Sequence, residues 1–236
     1  MTKPRPPPQS RQLTAELLLR AYATGIFPMS ESRDDPNIFW VEPEARGILP
    51  LDRFHVSRSL RKTFRGKPFD LRCDTAFGDV IGACRESAKN RRETWINDEI
   101  IGAYTELHKL GFAHSVECWR EDRLVGGLYG VSLAGVFCGE SMFSHVTDAS
   151  KVALVDLVAR LKYGGFVLLD VQFVTEHLKR FGAVEIPASE YLERLSQALT
   201  VQAGFYSAPE SPGLEFELEK LLAWPSTNKQ KILPFP

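Results

Sequence analysis

The sequence predicts a mixed α+β fold, and three observations carry that prediction. Strand-like runs at Ala113 to Trp119, Leu124 to Ser132 and Val136 to Phe143 follow at short intervals, with Glu121-Asp122 and Ala134-Gly135 as the turns between them. That spacing gives an antiparallel meander. Helical apolar periodicity is grouped ahead of the meander and between the later strands. The segment from Asp148, a residue able to N-cap, to about Lys162 is apolar on more than one face, the mark of a buried helix.

The remaining elements follow from local spacing. A helix runs from about Leu13 to Thr24, closed by Gly25 and stopped by Pro28. Ile38 to Val41 and Gly47 to Leu51 read as extended, and Phe69 to Cys73 as a strand. Ala76 to Ser87 and Asn97 to Leu110 have helical periodicity, the second ending at Gly111. After Gly164-Gly165 comes an apolar strand, Phe166 to Val171, then short helices near Thr175 to Arg180 and Ser189 to Leu199. There is no internal repeat, and Pro225 to Pro236 reads as a loose tail.

The 236 residues are 44% hydrophobic and 25% charged with a formal net charge of −1, the profile of a globular chain and not of a disordered or collagenous one. Cys73, Cys84, Cys118 and Cys138 are scattered with no C-x-x-C pair, which suggests neither a zinc site nor a disulfide framework. The start, Met1 to Arg11, is Pro-rich and basic without the apolar core of a signal peptide. No apolar run reaches membrane-spanning length, so a cytoplasmic protein is expected.

The near-neutral balance conceals local polarity. From Leu51 to Arg72 seven Lys or Arg face two Asp, and a second basic knot, Lys89-Asn90-Arg91-Arg92, precedes Trp95; the acidic counterweight lies at Glu210 to Glu219. Such a stretch is either a phosphate-binding surface or a solvated helix face balanced by neighbours in space. Trp40 and Trp95 sit in polar settings near these cations, which suits base stacking as well as ordinary half-burial.

Two carboxylates stand in apolar strands. Alternation places Asp170 and Gln172 on one side of the strand ending at Val171, and Asp170 either ends the strand and bonds the next turn or does chemistry. Glu140, flanked in the alternation by Cys138 and Met142, is either salt-bridged or held for a cationic ligand. Gly126-Gly127-Leu128-Tyr129-Gly130 lies within a strand and opens no helix, so close packing or a bulge explains it better than a phosphate loop. The segment Ser144 to Lys151, where acyl-CoA enzymes of similar element order carry a Gly-rich loop, contains no glycine. Cys138 with His145 or His177 is a conceivable thiol nucleophile and base, though a buried strand cysteine is the simpler reading.

Taken together, several blocks resemble the leucyl/phenylalanyl-tRNA–protein transferase family. They are Gly25-Ile26-Phe27-Pro28, Phe39-Trp40-Val41-Glu42-Pro43, Thr94-Trp95-Ile96, Ala113-His114-Ser115-Val116-Glu117, Leu124 to Gly130, Phe137 to Ser144, Ala149-Ser150-Lys151 and Asp170-Val171-Gln172. The similarity spans about Leu13 to Leu199 in consistent order. It implies a small amino-terminal α/β domain, placed at residues 1–50, packed on an acetyltransferase-like (GNAT-related) domain with a mixed, mostly antiparallel sheet, placed at 51–236 and ending in the loose tail. It also implies transfer of Leu or Phe from aminoacyl-tRNA to proteins with N-terminal Arg or Lys, marking them for N-degron proteolysis, with no coenzyme A, other cofactor or metal.

By that resemblance Asp170 and Gln172 match the pair at the reaction centre and Glu140 a carboxylate lining the same cavity. Leu128, Phe137, Met142, Leu154, Leu157, Leu161 and Leu169 match an apolar pocket for the aminoacyl side chain, and Trp95 an aromatic at the 3′ adenosine. Arg58, Arg61, Lys62 and Arg65 are the expected contacts to the tRNA backbone. A monomer is expected. Two positions depart from the family pattern: Met29 stands where Trp follows Gly-Ile-Phe-Pro, and Thr175 where Asn is frequent. A coenzyme A-dependent acetyltransferase and a non-catalytic RNA-binding module are the competing classes; the first lacks its phosphate loop and the second has no use for Asp170.

Overall fold

The computed structural model describes residues 13–86, 94–208 and 212–223. The basic knot at Lys89 to Arg92 and the tail at Pro225 to Pro236 lie outside the described residues. Among these residues the chain is α+β, built on a mixed seven-stranded sheet with helices on both faces.

Helix α1 (Ala15–Ala23) opens where the Thr14 hydroxyl accepts the Leu17 amide and closes before Gly25, whose φ of +84° suits glycine. The chain then makes a small ribbon of β1 (Phe27–Met29) and β2 (Phe39–Val41), pairing Pro28 with Trp40. The helix has already ended at Ala23, and Pro28 enters a two-stranded ribbon, where its missing N–H costs little.

Strand β3 (Ala45–Ile48) lies inside the large sheet, although a division at residue 50 assigns it to the amino-terminal unit. Helix α2 (Arg58–Arg65), capped by Ser57, carries the basic stretch, and β4 (Asp70–Cys73) follows. Next come α3 (Phe77–Glu86) and α4 (Asp98–Lys109), then the meander β5 (Ala113–Arg120), β6 (Arg123–Leu133) and β7 (Val136–Ser144). Helix α5 (Ala149–Tyr163) is buried on every side, as its apolar pattern requires, and crosses to β8 (Leu168–Gln172).

The carboxyl-terminal part adds α6 (Glu176–Lys179), β9 (Val184–Pro187), α7 (Ala188–Ala198) and α8 (Pro212–Ala223). The sequence reading contains neither β9 nor α8: the first is a short edge strand holding a proline, and the second reads as an acidic run. The reading of Asp148 as an N-cap needs correction. It has left-handed φ of +67° and caps no amide; its carboxylate instead takes Lys151 Nζ at 2.7 Å.

Strand order is β4-β5-β6-β7-β8-β3-β9, antiparallel throughout except for β7 and β8. The parallel pair is brief, joining Val136 to Leu168, Phe137 to Leu169 and Cys138 to Asp170; no pairing continues beyond Cys138 and Asp170, where the strands part. One apolar cluster lies on the face covered by α2, α5 and α8, and includes Leu128, Phe137 and Leu169. The other lies beneath α1, α3, α4 and α7 and includes Tyr129, Cys138 and Leu168. The glycines of β6 fit this packing: a Cβ on Gly126 would stand 2.4 Å from Ala149 Cβ, and Gly130 flanks a register shift opposite Gly139.

Candidate active site

Three of the expected residues meet where β7 and β8 part. Asp170 is completely buried, and alternation puts it on the same face as Leu168 and Cys138. Its partner is Arg46 on β3, a residue the sequence reading did not single out. Arg46 Nε reaches Oδ1 at 2.9 Å and Nη2 reaches Oδ2 at 2.6 Å, a two-pronged ion pair between strands 124 residues apart in sequence. The guanidinium is sandwiched between Phe27 at 4.6 Å and Tyr191 at 4.5 Å and donates to the Gly25 carbonyl at 2.8 Å. Burial works against its charge, and Asp170 more than restores it.

The other lone pairs of Asp170 are also taken. Tyr191 Oη donates to Oδ2 at 2.9 Å, and the backbone N–H of Gln172 donates to Oδ1 at 2.9 Å. The second bond closes a tight bend, because Gln172 has φ of +54°, a left-handed conformation that glutamine adopts at a cost of roughly 1–3 kcal/mol. Asp170 and Arg46 thus hold the end of β8 in a shape that turns Gln172 toward the parting of the strands.

Glu140 sits at the register shift between β6 and β7 and is half-buried. Tyr22 Oη donates to Oε1 at 2.7 Å, Tyr104 Oη to Oε2 at 3.1 Å, and Gln172 Nε2 to Oε1 at 3.1 Å; the two tyrosine hydroxyls also touch each other. Burial pushes the Glu140 carboxyl up to about 7, the charge of Asp170 adds to that rise, and the two tyrosines and Arg46 oppose it. Because the network commits Gln172 Nε2 to Glu140, the amide oxygen is the remaining acceptor, without a hydrogen-bond partner among the described residues. The arrangement suits holding an amine N–H beside a carboxylate that changes charge near neutral pH.

Other residues fall into separate groups. Leu128, Phe137, Leu154, Leu157, Leu161 and Leu169 are buried together with half-buried Met142 against them, all in the cluster on the α5 face. The Asp170 site lies on the opposite face, and Gly139 to Met142, just beyond the last β7–β8 pair, are half-exposed. Trp95 and Met29 are half-buried against the cluster beneath α1 and α4, and the Trp95 carbonyl accepts Ser30 Oγ at 2.7 Å.

On α2, Arg58, Lys62 and Arg65 are exposed and Arg61 is half-buried, with its Nε and Nη2 lacking a partner among the described residues. Arg65 Nη2 reaches the Leu222 carbonyl on α8 at 3.3 Å, which gives one of the four a structural tie. Cys138 is fully buried and burial pushes its thiol well up, so it serves as core and not as nucleophile. Among the described residues no cluster of His, Cys, Asp and Glu is placed to hold a metal, and no helix is long and apolar enough to cross a membrane.

Arg46, Tyr191, Tyr22 and Tyr104 complete the site, and sequence reasoning missed all four. The available signal was indirect: Arg46 stands between small residues ahead of Ile48-Leu49, and a buried tyrosine hydroxyl needs a partner.

Comparison with known proteins places the chain in a family. Solved structures give little: a conserved protein of unknown function from Bacteroides thetaiotaomicron (10% identity, TM-score 0.41, 81% of this chain and 66% of that one) and L-PGS from Bacillus licheniformis (14%, 0.40, 82% and 63%) are too distant to support the acetyltransferase-like relationship. Sequence comparison is decisive. The leucyl/phenylalanyl-tRNA–protein transferase of Paramagnetospirillum magneticum (strain ATCC 700264 / AMB-1) is 62% identical over 195 residues, covering 83% of this chain and 93% of the relative. That of Phenylobacterium zucineum (strain HLK1) is 59% identical over 206 residues, covering 86% and 93%. The profile of the leucyl/phenylalanyl-tRNA protein transferase family matches residues 48–196 and that of its N-terminal domain matches 11–44, so this chain belongs to the leucyl/phenylalanyl-tRNA protein transferase family.

Proposed function

We propose that this chain is an aminoacyltransferase that moves Leu or Phe, and Met weakly, from aminoacyl-tRNA to the α-amine of proteins beginning with Arg or Lys, marking them for N-degron proteolysis. The single observation that carries the reading beyond family membership is the orientation of Gln172, whose amide nitrogen is held by Glu140 and whose backbone is held by Asp170. The remaining amide oxygen then receives an N–H of the incoming amine. An α-amine of ordinary pKa, about 7.7–8.0, is partly neutral at cellular pH, so the protein need supply mainly position and a proton route.

In this reading the amine attacks the ester carbonyl joining the amino acid to the tRNA 3′ ribose, and no metal or cofactor takes part. Asp170 acts through Gln172 as a positioning residue, since its own oxygens are all engaged. Glu140 presents negative charge to the cationic end of the acceptor. The donor side chain enters between β7 and β8 toward Met142 and the leucines of α5, with the 3′ adenosine near Trp95, and α2 follows the tRNA backbone. The protein acts as a cytoplasmic monomer of two units, whose boundary, drawn near residue 50, moves ahead of β3 because that strand belongs to the large sheet. The parallel pair β7–β8 around the buried crossover helix supports an acetyltransferase-like lineage.

The test is transfer of labelled leucine from tRNA to two peptides differing only in their first residue, Arg or Ala. Incorporation into the Arg-initial peptide alone is expected; incorporation into neither, or into both equally, overturns the assignment.

A further inference from the structure

Aminolysis leaves a proton to be moved. Forming the C–N bond requires the amine nitrogen to lose one, while breaking the ester C–O bond leaves a 3′ oxygen that must gain one. Two carboxylates stand next to Gln172, and they differ in their ability to take it.

Asp170 has no exposure, and its two oxygens already accept four donors, from Arg46 twice, from Tyr191 and from the Gln172 backbone. A proton placed there would displace one of those donors and leave the buried Arg46 charge uncompensated. Glu140 is half-exposed, and its three donors leave one acceptor position open. Its two tyrosine partners touch each other as well as the carboxylate, so rotation of a hydroxyl lets Tyr22 bond to Tyr104, or the reverse, once Glu140 is protonated. The cluster therefore has bonding patterns for both states of Glu140.

We infer that Glu140 is the proton acceptor of the reaction, beyond its electrostatic role toward the acceptor side chain. This rests on the transferase reading above. The nitrogen held at Gln172 Oε1 bonds to the ester carbon, and one N–H proton passes to the open Glu140 oxygen. The C–O bond then breaks, the 3′ oxygen takes a proton from water and Glu140 returns its own to water, so that the net change is one proton moved from nitrogen to oxygen. Charged and titratable groups around Glu140 are Tyr22 of α1, Tyr104 of α4, Tyr129 of β6, Cys138 of β7, Asp170 of β8 and, farther along the network, Arg46 of β3. Burial, the largest influence, favours the neutral form, which readies the carboxylate to receive a proton near pH 7.

The experiment compares Glu140→Gln with the unaltered protein on two Arg-initial peptides, one with its ordinary α-amine and one with an aminooxy group in its place. The aminooxy nitrogen, once bonded to carbon, is acidic enough to give its proton to water. With the ordinary amine, E140Q should lower kcat about 10²-fold or more, and with the aminooxy peptide most of that loss should disappear. An equal loss on both peptides, or a change confined to KM, overturns the proposal and leaves Glu140 as an anionic wall. Tyr104→Phe gives a second reading should E140Q fold poorly. Loss of a hydroxyl that stabilises the carboxylate should move the midpoint of the kcat–pH profile upward, and an unmoved midpoint counts against the proposal. Unaltered protein that transfers to neither peptide would sink the transferase reading itself, a separate result.

Discussion

Among the described residues two Asp–Arg pairs are buried, one two-pronged and one joined by a single short bond, and their surroundings differ in an instructive way. Asp170 and Arg46 join β8 to β3 at the site; Asp156 and Arg160 lie one turn apart on α5, with Arg160 Nε 2.6 Å from Asp156 Oδ2. All four side chains are almost without exposure. Arg160 Nη1 donates to the carbonyls of Tyr206 and Ala208, so this pair staples the segment leading toward α8 onto the helix. The Asp170 pair spends its remaining acceptors on Tyr191 and on the amide of a residue with positive φ. Burial of an ion pair therefore does not distinguish a site from a staple; what the leftover hydrogen bonds hold does.

The largest expected effect tests that distinction. Asp156→Ala and Asp170→Ala each strand a buried guanidinium and should each lower unfolding stability by about 3–5 kcal/mol. Transfer per folded molecule should stay near the unaltered level for D156A but fall about 10²-fold or more for D170A, as measured by denaturant titration and by the transfer assay on the soluble fraction. Adding Arg46→Met to D170A should restore much of the stability and none of the transfer. Near-normal turnover in D170A would make its pair a second staple.

The same contrast explains what was legible in the sequence. Asp170 was visible because a carboxylate closing an apolar strand is anomalous within a few residues of chain, and Glu140 for the same reason. Arg46 and Tyr191 were not, since pairing across 124 and 21 residues leaves no local trace. The bend at Gln172 was hidden too: positive φ is signalled by glycine or asparagine, and here tertiary bonds impose it on glutamine. The meander and the buried helix α5 were readable because their periodicities are long. Strand β9 has four residues and ends in proline, and α8 presents its acidic residues more plainly than its buried Leu214, Leu221 and Leu222.

Charges in no ion pair among the described residues sharpen the comparison next. The cations of α2, three exposed and Arg61 half-buried, should answer to salt, unlike the two buried pairs. Replacing Arg58, Arg61, Lys62 and Arg65 by Gln should weaken tRNA binding to a similar extent for all tRNA sequences. The slope of log affinity against log salt should flatten by about 0.7–0.9 for each phosphate that the variant no longer neutralises. Arg65, tied to the Leu222 carbonyl, should contribute least. A fourfold variant that keeps both affinity and slope would mean that the tRNA docks elsewhere.

The smallest effect belongs to donor choice, where α5 contributes both the staple and the proposed pocket wall. Asp156 and Arg160 stand on the same helix as Leu154, Leu157 and Leu161, which pack with Leu128, Phe137 and Leu169. None of these side chains offers a polar group, so selection among donors must rest on shape. A γ-branched or flat aromatic side chain suits such a wall, whereas Val or Ile presses an extra methyl against its neck. Apolar pockets separate substrates by only about 1–3 kcal/mol per methyl or methylene, roughly 10–200-fold, so Met should pass at a reduced rate. Met142 is the half-buried member, on the part of β7 beyond its last pair with β8, so enlarging it acts at the exposed side of the group, while enlarging Leu154 acts deeper. Either Met142→Phe or Leu154→Phe should therefore depress Phe transfer more than Leu transfer, because the larger donor runs out of room first. One tRNA body charged in turn with Leu, Phe, Met, Val and Ile gives the comparison directly. Equal rates across the five, or rates that follow the tRNA body instead of the amino acid, would remove the α5 leucines from the selection and leave α5 with only its structural pair.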